Sequence, residues 1–338
     1  MNDTISGVGT SIAKKATMID LITGILGAGK TTFLLRYARH LIGSGQRIAI
    51  LENDFGAVNA DMALLQTLQC ENCQLEMVSG GGDAHCHRRR FRTQLIALGM
   101  QHFDRVLIEP SGIYDMDEFF DILHESPIDN WFEIGSILTI LDAENTDPLS
   151  DEMNYLFASE AACAGKLLLS KLPPEAPEAR AAEILEKLNT ALADIQCDRR
   201  FSERDMLLKK WEELRTDDFE MLSAAGYRNA YYVKKYHIDV LRSTVHYFMH
   251  IRLDAQDIRP VIQSIFDDPA CGLIYRIKGT LPAADGSWLT VNASKTHISV
   301  DAAEKGQTVL IVIGTELHRD AIDTHLKAKN TDPEYISI

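Results

Sequence analysis

Apolar residues run unbroken through several short segments of the first half of the chain, instead of alternating with polar ones. MIDLIT, RIAILE, QLEMV, FDRVLIEP, IGSILTILD and GKLLLS are such runs. A strand that is apolar on both faces belongs in a parallel sheet with helices on either side. Stretches of helical spacing, such as FLLRYARHL, lie between most of the runs. Strand–helix alternation predicts a doubly wound, mostly parallel α/β domain.

The pattern changes after Pro174. PPEAPEARAAEILEKLNTALA reads as a charged helix behind prolines, and MLLKKWEELRTDDFEMLSAAGY as an acidic helical stretch. Further on, VLRSTVHYFMHIRL has helical character. The strand-like runs LIYRIKGTL, SWLTVNA, HISVDA and TVLIVIG follow, with a tight turn at ADG. ELHRDAIDTHLKA closes the chain as a helix. The expected organisation is a flexible arm over 1–17, a nucleotide-binding α/β unit over 18–200, a helical linker over 201–245 and a smaller α+β unit over 246–338.

Composition narrows the function. The chain of 338 residues is 46% hydrophobic and 25% charged, so a packed core is expected. Its net charge of -15 argues against general binding to nucleic acid. The longest basic cluster runs from Arg88 to Arg92, interrupted by Phe91. No apolar run reaches the length of a membrane span. The first residues are polar, without the apolar centre of a secretory signal. Six cysteines without secretion suggest reduced thiols and a cytoplasmic setting.

The strongest chemical signal is GILGAGKTT, Gly24 to Thr32, which fits G-x-x-x-x-G-K-[ST] between a strand and a helix. Gly24, Gly27, Ala28 and Gly29 would wrap phosphate oxygens in backbone N–H groups backed by a helix N-terminus. Lys30 would reach the β- and γ-phosphates, and Thr31 would coordinate Mg²⁺, with Thr32 next to it. At the end of FDRVLIEPSG, Glu109 is placed to hold Mg²⁺ through water or to orient the attacking water. Gly112 would offer an N–H to the γ-phosphate. Glu52, Asp54 and Asp61, after the second strand, can serve the metal or a mobile switch.

GILGAGKTT, LENDFGAVNAD, FDRVLIEPSG and IYRIKGTLPAADGSWL together resemble the CobW-like family of metal-chaperone GTPases. The likeness covers 18–170 well and 270–328 moderately. It implies a P-loop NTPase domain that hydrolyses GTP with Mg²⁺. It also implies a transition-metal site coupled to the nucleotide, and delivery to a client metalloprotein or cofactor-dependent enzyme.

Two motifs depart from that pattern. Where the family carries C-x-C-C, this chain has Asp83, Ala84, His85 and Cys86, followed by His87. Cys70 and Cys73 lie upstream with a two-residue gap that lets both sulfurs reach one ion. Four of Cys70, Cys73, Asp83, His85, Cys86 and His87 would close a tetrahedral site for Zn²⁺, Co²⁺ or Ni²⁺. A solvated loop, or a phosphate clamp at Arg88–Arg90, remain alternatives. Where guanine-specific members have N-K-x-D, this chain has Ser170, Lys171 and then Pro173. Lys171 keeps a stem to stack on a purine, while the missing carboxylate leaves GTP and ATP both open.

The remaining candidates have plainer readings. His246 and His250 are four apart and suit a helical packing face. His318 and His325 are expected at the surface of the last helix, and Cys163, Cys197 and Cys271 as isolated buried side chains. Three functions fit: a nucleotide-gated metal chaperone, a nucleotide switch that activates a client without a transition metal, and a small-molecule kinase.

Overall fold

The computed structural model describes residues 16–53, 65–78, 84–112, 114, 116–144, 149–236, 245–283, 285–295, 297–303, 306 and 308–337. The expected N-terminal arm lies almost wholly outside them.

The apolar runs pair as parallel strands. These are β1 (Thr17–Thr23), β2 (Ile48–Asn53), β3 (Cys73–Val78), β4 (Arg105–Pro110), β5 (Phe132–Asp142), β6 (Lys166–Ser170) and β7 (Met206–Leu207), in the order β3-β2-β4-β1-β5-β6-β7. Neighbouring residues of one strand serve opposite faces. Ile48 and Ile50 join a core with α1 (Lys30–Gly43), α4 (Asp151–Ala162) and α5 (Pro177–Asp194). Ala49 and Leu51 join a second core with α2 (Ala84–Gly99) and α3 (Met116–Leu123). Burial on both faces is the physical reason for the unbroken apolar runs. The order changes direction around β1, which lies between β4 and β5, and the loop leaving β1 opens at the crevice where α/β sheets bind ligands.

The stretch expected to be a helical linker is packed onto this unit. Met206–Leu207 pairs parallel with β6 and extends the sheet. Trp211 lies on Phe33 with ring centroids 5.4 Å apart. From α6 (Thr216–Ser223), Phe219 stacks on Tyr37 at 6.2 Å.

The second unit is an antiparallel sheet of β8 (Val245–Met249), β9 (Leu273–Pro282), β10 (Trp288–Ala293), β11 (Ile298–Ala303), β12 (Val309–Thr315) and β13 (Ile336–Ser337), ordered β11-β10-β9-β12-β8-β13. The VHYFM segment is therefore a strand, not a helix. It pairs with β12 and β13, where its β-branched and aromatic side chains suit a pleated surface. Helices α7 (Ala255–Asp267) and α8 (Arg319–Lys327) cover one face through Ile258, Ile262, Ile322 and Leu326. The other face presents Val245, Val309, Ile311 and Ile313, and Leu26 of the Gly24–Thr32 loop packs against it. Among the described residues, no helix is long and apolar enough to cross a membrane.

Candidate functional site

The loop between β1 and α1 takes the shape its glycines allow. Gly24, Gly27 and Gly29 all have positive φ, and Gly29 caps α1. Lys30 is buried and curls back, its Nζ donating to the Gly24 carbonyl at 2.7 Å. Ala28 is buried, whereas Thr32 is exposed on the first turn of α1. Gly112 lies against the loop backbone, where a Cβ would come within 2.3 Å of the Leu26 nitrogen.

Oxygen donors collect at one side of this loop. Thr31 Oγ1 donates to Glu109 Oε1 at 2.8 Å. Glu52 is in register with Glu109 across β2 and β4, so the two side chains share a face. Both carboxylates are buried. Two buried carboxylates beside a hydroxyl suit a hard divalent cation, so Thr31, Glu109 and Glu52 fit Mg²⁺. Asp54 and Asp61 lie outside the described residues.

The second unit enters the same place. Arg276 of β9 lies across the loop so closely that a Cβ on Gly27 would meet its Cδ at 2.3 Å. The guanidinium is 3.6 Å from Asp142 at the end of β5, and donates to Asn292. Asp142 is also paired with Lys171, which donates to the Gly27 carbonyl at 3.2 Å. Burial lowers the pKa of both cations, and Asp142 counters it. Further along the contact, Thr315 donates to Ser150 Oγ at 2.8 Å, and the Ser150 N–H donates to the Tyr275 hydroxyl at 3.2 Å. Arg276 lies in the block IYRIKGTLPAADGSWL, but no role at the loop was read for it from sequence.

Glu160 was missed as well. It lies on α4, whose burial runs from Met153 through Ala162 with one break at Asn154, and is 1% exposed. Its Oε2 accepts the Gly24 N–H at 2.7 Å, which braces the phosphate loop from behind. Burial pushes its carboxyl up to about 7, against the opposing pull of Lys30 and the Gly24 N–H. The native state thus holds a proton that the unfolded chain releases. The stabilisation from that proton is complete below pH 4.5 and is lost as pH rises through about 7. Glu160→Gln keeps the acceptor and removes the titration. Relative to wild type it should gain about 2 kcal/mol between pH 5.5 and pH 8. Urea unfolding at both values checks this; a constant difference would mean the carboxyl ionises normally.

The cysteine and histidine candidates do not form one group. Cys70 and Cys73 exchange backbone hydrogen bonds of 3.3 and 3.1 Å in a turn at the start of β3. Cys86 and His87 lie in α2, past the other end of that strand. Among the described side chains, no three of Cys70, Cys73, Cys86 and His87 come together as ligands of one ion. Cys73 is buried, which pushes its thiol up to about 12, while Cys70 is exposed. Cys86 and His87, adjacent on a helix, point about 100° apart; His87 is buried and Cys86 half-buried. Arg89 Nη2 is 3.8 Å from Cys86 Sγ. Asp83 and the side chain of His85 lie outside the described residues. HCHRRR is thus the beginning of a helix rather than a loop. Arg88 and Arg92 bind Glu125 at 2.7 and 2.6 Å, which ties α2 to the end of α3 and occupies Arg88 away from any phosphate.

On the base side, Ser170 is buried and donates to the Leu141 carbonyl at 3.2 Å. Lys171 has φ 52 and turns its ammonium toward Asp142 and the loop, and Pro173 is half-buried.

Comparison with known proteins places this geometry. The chain is similar to the zinc chaperone YeiR of Escherichia coli (strain K12), 30% identical over 167 residues that cover 49% of this chain and 50% of YeiR. It is 28% identical to the zinc chaperone YjiA of the same strain over 185 residues, 51% of this chain and 54% of YjiA. It is 26% identical to the zinc-regulated GTPase metalloprotein activator 1 of Saccharomyces cerevisiae over 160 residues, 46% of this chain and 37% of that protein. The chain spans about half the length of the two bacterial relatives. Residues 18–202 match the model for the CobW/HypB/UreG nucleotide-binding domain. That stretch contains the Gly24–Thr32 loop, Thr31, Glu109 and, but for β7 and the first residue of β1, the parallel sheet that positions them, and the chain belongs to the CobW/HypB/UreG family.

Proposed function

We propose that the chain hydrolyses a purine nucleoside triphosphate, GTP foremost, and couples that hydrolysis to the binding and delivery of a transition metal. The observation that carries the hydrolysis is the convergence of Lys30, Thr31 and Glu109 at the loop. The triphosphate would lie on the N–H groups of that loop and take the Lys30 ammonium from the Gly24 carbonyl. Mg²⁺ held by Thr31, Glu109 and Glu52 would neutralise charge on the phosphates when bound. Water attacks the γ-phosphorus, the bond to the bridging oxygen breaks, and nucleoside diphosphate and phosphate leave. Glu109 and Asp54 are the residues proposed to orient that water, with Gly112 offering its N–H. The names of the relatives, zinc chaperones and a zinc-regulated GTPase, support GTP and zinc as substrate and cargo.

Coupling is supported by the second unit's contact with the loop. Arg276 and the apolar face around Ile311 and Ile313 rest on Gly27 and Leu26. A change of phosphate occupancy at the loop would therefore be felt by β9 and β12. The cargo is proposed to bind near Cys86, with Asp83 and His85 completing its ligands. A client metalloprotein or cofactor-dependent enzyme would receive it. A second reading, a nucleotide switch that handles no transition metal, is favoured by the separation of Cys70 and Cys73 from Cys86. Cys86→Ser separates the two: loss of bound Zn²⁺ supports delivery, and full client activation by that variant supports the switch.

Arg276, which lies across Gly27, would lend the nucleotide only part of its charge, because Asn292 and Asp142 already hold it. Arg276→Ala is expected to reduce GTP turnover about tenfold, the loss of one charge-assisted contact. Phosphate release with GTP and with ATP, in wild type and variant, tests both the activity and the base preference. No release with either nucleotide would overturn the proposed hydrolysis.

A further inference from the structure

A donor set for a metal lies far from the phosphate loop, on the helical side of the second unit. Read from sequence, Cys271 is an isolated buried thiol and His325 a surface residue. The fold brings both to Asp268. Asp268, Pro269, Ala270 and Cys271 form one tight turn after α7, in which the Cys271 N–H donates to the Asp268 carbonyl at 3.0 Å. The Asp268 Oδ1 accepts the Ala270 N–H at 2.9 Å, which fixes the carboxylate. His325, from α8, sets its Nε2 2.8 Å from Asp268 Oδ2. The Cys271 sulfur, one ring nitrogen and one carboxylate oxygen all lie within 4.8 Å of one another.

The ring's other nitrogen is also held. His325 Nδ1 is 3.0 Å from Ser264 Oγ, and that hydroxyl donates to the Val261 carbonyl at 2.8 Å. Ser264 therefore accepts from Nδ1–H, which leaves Nε2 facing the carboxylate and the thiol. Two acceptor atoms 2.8 Å apart need a proton or a cation between them. Histidines that bind metals have their second nitrogen fixed by such a partner. Cys271 is fully buried, while the Asp268 and His325 side chains are 34% and 25% exposed, so one side of the cluster is open to an ion and a water.

We propose that Asp268, Cys271 and His325 bind one thiophilic divalent metal ion of the Zn²⁺ type, independently of the segment around Cys86. Sulfur, nitrogen and oxygen donors with a fourth position for water suit zinc. Tetrahedral zinc ligands lie about 3.3–3.8 Å apart, so the turn and α8 need to close by no more than about 1 Å. The inference does not rest on nucleotide hydrolysis.

The test uses the full chain carrying Cys70→Ser, Cys73→Ser and Cys86→Ser, titrated with Co²⁺ alone. The expected result is one Co²⁺ per chain with a thiolate charge-transfer band and tetrahedral visible bands, both removed by Zn²⁺. In the same background, Ser264→Ala should weaken Co²⁺ binding 10- to roughly 100-fold. His325→Gln should abolish the charge-transfer band with circular dichroism unchanged. No thiolate band in the triple-serine chain, or a band that survives His325→Gln, overturns the proposal.

Discussion

Lys30→Ala is expected to lower nucleotide turnover by at least about 100-fold with the fold intact, measured as phosphate release at saturating nucleotide and Mg²⁺. In the nucleotide-free state its ammonium donates to the Gly24 carbonyl, six residues back in the same loop, and it reaches α4 only through its charge, felt by Glu160. Alanine is favourable at the first position of α1, so helix formation is not the casualty. What disappears is the one side-chain cation of the loop motif, placed where charge builds on the transferred phosphoryl group. Melting temperature should fall only modestly, because the buried stem is lost but the one hydrogen bond removed lies within the loop. Unchanged turnover would show that GILGAGKTT does not cradle the phosphates.

Gly24→Ala should act on stability instead. At φ 132 the backbone of Gly24 is in a region that side chains rarely adopt, and a Cβ would sit 2.3 Å from the carbonyl oxygen of Ile140. That oxygen belongs to β5, the immediate neighbour of β1, and cannot move without shifting the sheet. Strain of this kind and the displaced backbone add to a loss on the order of 4 kcal/mol, and nucleotide binding should fail with it. Gly43→Ala is the matched control. No atom lies within 4 Å of a Cβ there and the position is helical, so it should be neutral or slightly stabilising. Equal melting temperatures for the two variants would contradict the close packing of the loop on β5.

The parallel sheet was legible because burial on both faces leaves a mark no other element makes, an unbroken apolar run between helical stretches. The strand–loop–helix turn was legible because its three glycines, all with positive φ, stand beside the lysine and threonine within nine consecutive residues. What failed depended on partners distant in sequence. VHYFMH carries apolar residues at spacings of three and four and histidines four apart, which fit a helix as well as a strand; the pairing of Val245–Met249 with β12 decides the matter. Met206–Leu207 is too short to show any period, and joins the sheet only because β6 offers an edge. Glu160 belongs to no motif, and only the apolar residues around it imply that it faces inward. Asp268, Cys271 and His325 gave no shared signal, since 54 residues separate the cysteine from the histidine and α8 alone unites them. The cysteine-rich stretch is different again: nearness in sequence suggested one site for Cys70, Cys73 and Cys86, but Cys70 and Cys73 lie at the start of β3 whereas Cys86 lies in α2, past the strand's other end.

The central claim is that nucleotide and transition metal are bound by one coupled machine. The most direct measurement, in the His325→Gln chain so that the Asp268 cluster does not take the zinc, is the affinity for a slowly hydrolysed GTP analogue, by calorimetry with Mg²⁺ present, with and without one equivalent of Zn²⁺. A metal that senses the phosphate loop should change that affinity about 5- to 150-fold, and the analogue should change Zn²⁺ affinity by the same factor. Identical nucleotide affinity with and without bound zinc would contradict the coupling.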